Sequence, residues 1–480
     1  MKQIKNNQKK ITIIFLVIIT LGFFLRFYNL SLESYWVDEI FSFWAADPNI
    51  SLKETLIRNS QIEIVPVLFN LILKVFFIIF GYDVDLARYV SLFFSVSSII
   101  LVSKLYTNIT KNNNNLFIAF LLSFNIFLIS YSQELRVYSL IFFLVALNLI
   151  YFVKIVKTNK INIKYILIFI LINYLSMQAH QFTLTIVCSY IVFIFIAFFK
   201  YKKKFHNLNI SILILFIISL FYLYFFYKNQ LNYMFWVQQV DLKFFTNFYF
   251  SKFFGSRLLG LIHLLLFFYL IFLNKKNIFN KFDIKLILYI IIFLSYFLPI
   301  IYGYIFEPIL NARYIIFVLI PVLILTSDLI YKIKNFKTKS ILIFFLCFIT
   351  IGNHFTEGTF MQFTKEKRLY KPDFRSVINE INKSDSSNVL IKVERGDLNI
   401  KNPILPQIKS LENYVYYFSK KNNLKVNIVS NKNFSNHDKF WVICVVDLNN
   451  NCNKPENLKD FTTIKDVYLN RLNIKFLEKK

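Results

Sequence analysis

Ser34-Tyr35-Trp36-Val37-Asp38-Glu39-Ile40-Phe41 follows directly on the first strongly apolar segment of the chain, Ile11–Tyr28. Two adjacent carboxylates therefore come just after a helix that is long enough to enter a membrane. Aromatic rings surround the pair, and such rings prefer the level of the lipid headgroups. We therefore expect Asp38 and Glu39 to lie at a membrane–water boundary. An ordinary acidic loop in an aromatic belt would have the same local pattern. The rest of the chain is therefore needed to distinguish such a loop from a functional site.

The composition is that of a polytopic membrane protein. Of the 480 residues, 56% are hydrophobic, and the mean hydropathy is +0.52. The net charge of +28 would point to nucleic acid in a soluble protein. Here most lysines lie in short loops between apolar runs. Their distribution therefore indicates how the chain is oriented in the membrane, and we expect no nucleic-acid partner. The lysine-rich start precedes a run that is too long for a signal peptide and has no small-x-small cleavage site, which predicts an uncleaved first span.

Eleven apolar runs approach the length of about 20 residues that a membrane-spanning helix needs. The predicted spans are Ile11–Tyr28, Arg88–Leu105, Leu116–Ser130, Val137–Val153, Tyr165–Ala179, Phe182–Phe199, Ile210–Tyr227, Leu258–Leu273, Leu286–Tyr304, Tyr314–Tyr331 and Ser340–His354.

A twelfth apolar run, Ile62–Phe80, has polar interruptions, and the lysine-dense loops decide how it lies. If this run does not cross, every one of those loops falls on the same side as the lysine-rich N-terminus, as the positive-inside rule requires. If it crossed, all five loops would move to the other side. We therefore predict a juxtamembrane helix at 62–80 within a first outer loop, 29–87. The five loops are 104–111, 154–164, 200–204, 275–285 and 332–339.

With eleven crossings and the lysine-dense loops inside, the N-terminus is predicted to be cytoplasmic and the C-terminal part to lie outside. We predict a plasma (inner) membrane protein whose C-terminal part is on the periplasmic face. The membrane domain is predicted to cover 1–354. After it the composition becomes charged and asparagine-rich, with alternating strand-like and helix-like segments, which predicts a small extracytoplasmic α/β domain at 355–480. Cys444 and Cys452 would lie outside and either pair or stay free, since nothing in the sequence demands a bridge.

The outer loops bring ionisable groups to one side of the membrane. Besides Asp38 and Glu39 they contain Glu134, which is two residues before an arginine. Three arginines, Arg88, Arg136 and Arg313, lie at or next to span ends, against the positive-inside bias. Snorkelling to headgroups explains each arginine singly, but three together favour an anionic phosphate, because guanidinium groups match phosphate oxygens.

Carboxylates next to arginines indicate group transfer from a phosphate-activated donor. A carboxylate takes the proton of an acceptor hydroxyl, and arginines stabilise the charge on a departing phosphate. His180, between two spans, is either a satisfied polar residue or a donor to a phosphate or a sugar hydroxyl. Paired acids suit Mg²⁺ or Mn²⁺, but no full ligand set is visible, so no metal ligand and no cofactor is assigned.

The ordered set of motifs over roughly residues 10–380 resembles the GT-C fold membrane glycosyltransferases of the protein O-mannosyltransferase and aminoarabinose-transferase superfamily. The matching pieces are Trp36-Val37-Asp38-Glu39, Phe80-Gly81 with Arg88 and Ser91, Tyr131-Ser132-Gln133-Glu134-Leu135-Arg136-Val137-Tyr138-Ser139, Gln178-Ala179-His180, Pro308 with Arg313-Tyr314 and Pro321, and Pro372-Asp373-Phe374-Arg375.

The resemblance implies a polyprenyl-phosphate-linked sugar as donor and a glycolipid, glycan or protein as acceptor on the outer face. It implies that Asp38 activates the acceptor, supported by Glu39 and the second-loop acid Glu134. Together with the phosphate argument above, this makes Arg88, Arg136, Arg313 and His180 the candidate groups that bind the donor phosphate. A transporter or flippase of lipid-linked glycans and a non-catalytic scaffold are the alternative readings.

One stretch departs from the family pattern. Where the family has a basic residue followed by a Pro-Pro pair, this chain has Glu63-Ile64-Val65-Pro66-Val67-Leu68-Phe69. The missing basic residue often contacts phosphate or acceptor, so the departure bears on which donor and acceptor this chain takes.

Overall fold

A computed structural model describes residues 2–62, 66–158, 160–230, 237, 239–242, 253–280, 282–358, 360, 371–392, 404–421, 423–429, 434–446, 458 and 460–480. Cys452 lies outside these ranges, and so does Glu63–Val65, the start of the stretch that differs from the family pattern. Cys444 is disulfide-bonded. Within the described ranges, eight helices are long and apolar enough to cross a membrane. The chain is therefore a multi-pass membrane protein.

Among the residues described, fifteen α-helices precede the C-terminal region. They are α1 (Lys2–Phe27), α2 (Val37–Ala45), α3 (Leu52–Ile62), α4 (Leu68–Phe80), α5 (Tyr89–Thr110), α6 (Leu116–Ser123), α7 (Ile126–Ser132), α8 (Tyr138–Lys157), α9 (Ile163–Ala179), α10 (Leu184–Phe199), α11 (His206–Gln230), α12 (Arg257–Asn280), α13 (Leu286–Ile305), α14 (Leu319–Tyr331) and α15 (Phe336–Thr356). A 3₁₀ segment, Ala312–Val318, leads directly into α14.

Two predicted spans, Tyr165–Ala179 and Leu258–Leu273, correspond to α9 and α12, whose apolar parts have fewer than 18 residues. A third span is less regular than predicted. The run Leu116–Ser130, predicted as one span, is broken into α6 and α7 at Phe124-Asn125. Hydropathy does not detect this break, because the residues on both sides of it are apolar.

Two polar side chains stabilise the break. The Asn125 side chain caps α7 by accepting a hydrogen bond from the Leu128 amide at 2.9 Å. From α1, the buried guanidinium of Arg26 donates to the carbonyls of Ser123 at 2.8 Å and Leu122 at 2.9 Å. These carbonyls have no partners in their own helix, and a buried unpaired carbonyl is costly. Arg26 therefore replaces the helical bonds that the break removes.

The first loop contains three short helices, α2, α3 and α4. The helix predicted at 62–80 is present as α4 (Leu68–Phe80), and α3 ends at Ile62. The 13 residues of α4 rise about 20 Å, which is less than the bilayer core of about 30 Å. Its Phe69, Leu73 and Phe77 are buried. Gly81 ends α4 with a φ of 96°, a conformation that side chains with a Cβ avoid.

The C-terminal region forms the predicted α/β unit, though its boundary at 355 stays a prediction. A five-stranded sheet has the order β2-β1-β3-β5-β4; β1 pairs in parallel with β2 and β3, and β5 pairs antiparallel with β3 and β4. The strands are β1 (Asn388–Lys392), β2 (Asn427–Ile428), β3 (Lys439–Val445), β4 (Phe461–Leu469) and β5 (Leu472–Lys479), with the helices α16 (Phe374–Asn382) and α17 (Ile404–Lys421).

The two parts of the protein share one hydrophobic core. Buried residues of one sheet face, including Val389, Trp441 and Ile474, belong to the same cluster as the buried residues of the transmembrane helices. The other sheet face has a separate small cluster around Phe440 and Leu477. The sheet domain is thus packed onto the helices on the side where the first loop lies.

Candidate active site

The short helix α2 begins within the carboxylate stretch and fixes its geometry. Trp36 is the residue before the helix, and its amide donates to Glu39 Oε2 at 3.0 Å, one half of a capping box. Both Asp38 and Glu39 lie in the first turn, where the helix dipole favours negative charge. The two adjacent carboxylates then point to different surroundings: Glu39 is fully buried, and the Asp38 side chain is 44% exposed.

Glu39 is the centre of a buried charge cluster. Its Oε1 accepts from Arg88 Nε at 2.9 Å and from the Leu135 amide at 2.8 Å. Its Oε2 accepts from Arg88 Nη2 at 3.1 Å and from Lys371 Nζ at 2.7 Å, besides the Trp36 amide. Burial by itself would raise the pKa of Glu39, but Arg88 and Lys371 outweigh it and hold that pKa at about 2. Glu39 is therefore ionised and joins four separate chain segments.

Arg88 uses all five of its N–H donors inside this cluster. Apart from its two bonds to Glu39, it donates to the backbone carbonyls of Leu30, Glu33 and Ser34 at 2.8 to 3.1 Å. Its guanidinium also lies 4.7 Å from the centre of the Tyr35 ring. The sequence assigned Arg88 to the donor phosphate, but in this structure the side chain anchors the first loop and has no donor left for a phosphate.

Asp38 faces the third predicted arginine. Arg313 Nη1 lies 3.5 Å from Asp38 Oδ2, and both side chains keep contact with solvent, with 21% of Arg313 exposed. Arg313 comes from the 3₁₀ segment 312–318, where the Asn311 side chain accepts from the Arg313 amide at 3.2 Å. A partly exposed carboxylate next to a mostly buried guanidinium combines a proton acceptor with an anion-binding group.

Arg136 holds the backbone of the same turn. Its Nη1 donates to the Asp38 carbonyl at 3.0 Å and to Ser42 Oγ at 3.2 Å. The Arg136 carbonyl in turn accepts from Ser91 Oγ at 3.3 Å. Arg136 therefore lies within reach of the Asp38 region, as the sequence predicts, and its contacts orient α2.

Glu134 lies in the turn between α7 and α8, beside the Glu39 cluster. Its side chain forms no hydrogen bond with any residue that the structure describes. Burial raises the pKa of Glu134 above its usual range, with Lys371 acting in the opposite direction and Glu39 adding to the rise. A partly buried carboxylate of this kind binds a proton more readily than Asp or Glu in water.

His180 lies behind the exposed pair and is almost completely buried. Its Nδ1 accepts from the Phe182 amide at 3.2 Å, and its ring centre is 4.9 Å from that of Tyr314. Burial lowers the pKa of His180 to about 3, and Arg136 and Arg313 contribute in the same direction. His180 is therefore neutral, with its proton on Nε2. Within the described ranges, neither His180 Nε2 nor the Tyr138 hydroxyl has a hydrogen-bond partner.

The structure brings all seven predicted site residues to one end of the helices, but sequence reasoning missed Lys371. This lysine directly precedes the Pro372-Asp373-Phe374-Arg375 motif, which is part of the family resemblance. Nothing in the sequence linked it to a carboxylate 332 residues earlier. Among the described residues no group of three or more His, Cys, Asp or Glu side chains is placed to hold a metal ion.

Comparisons with known proteins agree with this architecture at the level of the fold. No protein-family model matches the sequence, and no curated protein matches it. The structure of ArnT, an aminoarabinose transferase, from Cupriavidus metallidurans in the apo state superposes with a TM-score of 0.60 at 8% identity, covering 98% of each chain. ArnT bound to undecaprenyl phosphate gives a TM-score of 0.54 at 9% identity over 97% of each chain.

A more distant structure belongs to the same fold. The oligosaccharyltransferase AglB from Archaeoglobus fulgidus, in complex with an inhibitory peptide and a dolichol-phosphate, has a TM-score of 0.52 at 8% identity. The match covers 92% of this chain and 70% of AglB. This chain therefore has the GT-C fold of the membrane glycosyltransferases.

Proposed function

We propose that this protein transfers a sugar from a polyprenyl-phosphate-linked donor to an acceptor hydroxyl on the outer face of the membrane. The observation that carries the proposal is the pair formed by Asp38 and Arg313, 3.5 Å apart and both accessible. The pair lies at the end of the helices where the first loop meets the sheet domain. The solved structures with this fold add support, since one contains undecaprenyl phosphate and another dolichol-phosphate.

In the proposed reaction, Asp38 and Arg313 each carry out one step. Asp38 takes the proton of the acceptor hydroxyl while the hydroxyl oxygen forms a bond to the anomeric carbon. The bond between that carbon and the phosphate oxygen breaks, and the electron pair leaves with the polyprenyl phosphate. Arg313 stabilises the charge that develops on this phosphate. Attack opposite to the leaving group inverts the anomeric configuration.

The remaining predicted residues take supporting roles. Arg136 keeps Asp38 in place through its backbone carbonyl, and its charge adds to the positive potential at the phosphate. Neutral His180, with a proton on Nε2, is suited to donate to a phosphate or sugar oxygen once the enclosing side chains move. Glu134 supplies a second carboxylate with a raised pKa. We propose that Glu39 and Arg88 act by positioning, because both are saturated by protein contacts.

The orientation follows from the charges at the other end of the helices. Lys154 and Lys157 end α8 there, and Lys285 and Lys332 bind the buried Asp328 with Nζ–Oδ2 distances of 2.9 and 3.0 Å. The positive-inside rule favours placing this lysine-rich end in the cytoplasm. The site and the sheet domain then lie outside.

The test has two arms. Purified protein in lipid nanodiscs is offered undecaprenyl-phosphate sugars with labelled hexose or pentose, and free polyprenyl phosphate is measured. In parallel, mass spectrometry compares envelope glycolipids and glycoproteins of cells with and without the protein. We expect release of polyprenyl phosphate and the loss of one sugar from one acceptor. No binding or turnover of any donor, together with an unchanged envelope, would contradict the proposal and favour a scaffold.

A further inference from the structure

Lys371 connects the sheet domain to the carboxylate stretch at its most buried point. It is the first described residue after 360, and 8% of its side chain is exposed. Its ammonium group donates to Glu39 Oε2 at 2.7 Å, and the Asn470 side chain holds its backbone carbonyl at 2.7 Å. Asn470 belongs to the turn between β4 and β5, so Lys371 is fixed on the sheet side as well.

Three further contacts dock the sheet domain on the same loop. Tyr414 of α17 stacks on Tyr35 with ring centres 5.1 Å apart, and its hydroxyl accepts from the Tyr35 amide at 3.1 Å. The Tyr82 hydroxyl lies 3.0 Å from Asn413 Oδ1. At the rim, Lys421 binds Asp83 at 2.9 Å and also pairs with Asp85. The contact therefore has a buried ionic centre, an aromatic layer and an exposed ionic edge.

The buried centre controls the position of Asp38. Glu39 is its direct neighbour, and α2 has nine residues, so a shift at Glu39 moves the Asp38 carboxylate relative to Arg313. Removing Lys371 also removes a cation that lowers the pKa of Glu134. Arg313 belongs to the 3₁₀ segment before α14, and Arg136 to the turn between α7 and α8. Neither segment includes Lys371, so we expect the donor phosphate to keep these two partners when Lys371 is changed.

We propose that Lys371 is a positioning residue for sugar transfer, and that the sheet domain is therefore a required part of the active site and not only a module that presents the acceptor. The proposal rests on the proposed function for its kinetic consequence. Its structural part, that Lys371 holds the first turn of α2, stands independently of the reaction.

The kinetic test compares Lys371→Met and Lys371→Arg with the matched control Lys421→Met. Lys421 links the same domain to the same loop, but its side chain is 35% exposed, where an ion pair contributes little. We expect Lys371→Met to lower kcat by about 10- to 100-fold, because a small misplacement of a reacting group has such effects. The donor KM should stay within about twofold. Lys371→Arg should recover most of the rate, and Lys421→Met should match the wild type.

Hydrogen–deuterium exchange of the full-length protein tests the structural part without any substrate. Lys371→Met should speed exchange at 35–46 and 133–137, the segments that contain the Trp36 and Leu135 amides bonded to Glu39. The strand Lys439–Val445 should stay protected. If this strand also loses protection, Lys371→Arg decides: recovery of kcat and of protection at 35–46 supports the proposal, and no recovery overturns it.

The two arms separate the failure of this proposal from the failure of the proposed function. A wild-type protein without transferase activity rejects the proposed function, and the exchange at 35–46 still decides whether Lys371 holds α2. An active wild type with an unchanged kcat in Lys371→Met overturns the positioning role. So does a change in donor KM alone.

Discussion

Arg313 Nη1 lies 3.5 Å from Asp38 Oδ2 across the end of the helix bundle. The carboxylate comes from the first loop and the guanidinium from the segment before α14, so the pair forms only when both are in place. The distance is longer than that of a tight ion pair, and both groups remain accessible. A proton-accepting group and an anion-binding group are thus next to each other.

Replacing Asp38 by Asn should abolish transfer. The amide keeps the size of the side chain but accepts no proton, so we expect kcat to fall by about 10²- to 10⁴-fold. Membrane insertion and yield should stay normal because the side chain is exposed. The rate of sugar transfer in nanodiscs measures the effect. Glu54→Gln is the control, since Glu54 is an exposed acid of α3 that pairs with Arg58. Transfer retained in the Asp38→Asn variant would reject the role of Asp38.

Replacing Arg313 by Met should weaken both donor binding and the chemical step. We expect kcat/KM for the donor to fall by at least about 100-fold, because the phosphate loses a charge-assisted contact worth about 1.5–3 kcal/mol and its transition-state stabilisation. Arg313→Lys should recover part of the loss, since lysine keeps the charge but not the planar fork. Arg375→Met is the control, because Arg375 is exposed and donates to the Ser31 carbonyl. Equal rates for Arg313→Met and Arg313→Lys would show that charge there is irrelevant.

The Glu39 cluster makes stability depend on pH in a defined window. The pKa of Glu39 falls from 4.5 to about 2 on folding, so the unfolded chain binds more protons between these values. The contribution of Glu39 is therefore complete above about pH 5 and is lost as the pH falls from 4.5 towards 2. Thermal denaturation in detergent should find Glu39→Gln less stable than wild type at pH 7, with the difference shrinking between pH 5 and pH 3. A difference that is constant over this range would contradict the assignment.

The aromatic layer should account for most of the docking free energy of the sheet domain. Tyr414→Ala removes a fully buried ring and should lower the free energy of unfolding by about 3–5 kcal/mol. Tyr414→Phe keeps the ring and removes the hydrogen bonds of the hydroxyl with the Tyr35 amide and the Ser34 side chain, which should cost about 1 kcal/mol each. Tyr416→Ala is the control, since that neighbouring ring is 47% exposed. Denaturant unfolding followed by circular dichroism measures all three. Equal effects at 414 and 416 would mean that the stacking on Tyr35 contributes nothing.

Much of the architecture was predictable from the sequence because membranes impose simple rules. Long apolar runs indicated the spans, and the lysine-dense loops indicated that the run 62–80 does not cross. The C-terminal composition predicted strands at 388–393 and 439–446 and a helix at 373–382, which match β1, β3 and α16 to within a residue. The helix predicted at 411–420 begins earlier in the structure, at Ile404. The β4–β5 hairpin was missed, because the residues of β4 are mostly exposed and polar and so do not form the apolar alternation that identifies a half-buried strand.

The sequence indicated which ionisable residues would lie near one another, but not which contacts each of them makes. Asp38 and Glu39 are adjacent and chemically similar, and only packing makes one exposed and the other buried. Arg88, Arg136 and Arg313 likewise look equivalent at span ends. In the structure Arg88 is saturated by Glu39 and three carbonyls, while Arg313 stays accessible. Such differences depend on contacts between distant segments, as with Lys371, and a single sequence without homologues does not encode them in any local pattern.

Arg26 sets an order in which the membrane part can assemble. A lone arginine in the first helix is costly in lipid, and its acceptors, the carbonyls of Leu122 and Ser123, are synthesised about a hundred residues later. Until α6 enters the bilayer, Arg26 has to remain among the headgroups. The C-terminal end of α1 is therefore not fully inserted before that point. Nascent chains arrested before Leu116 should therefore leave a cysteine placed at Asn29 open to a membrane-impermeant thiol reagent. Chains arrested after Gln133 should protect it, and equal labelling of both would rule out this order.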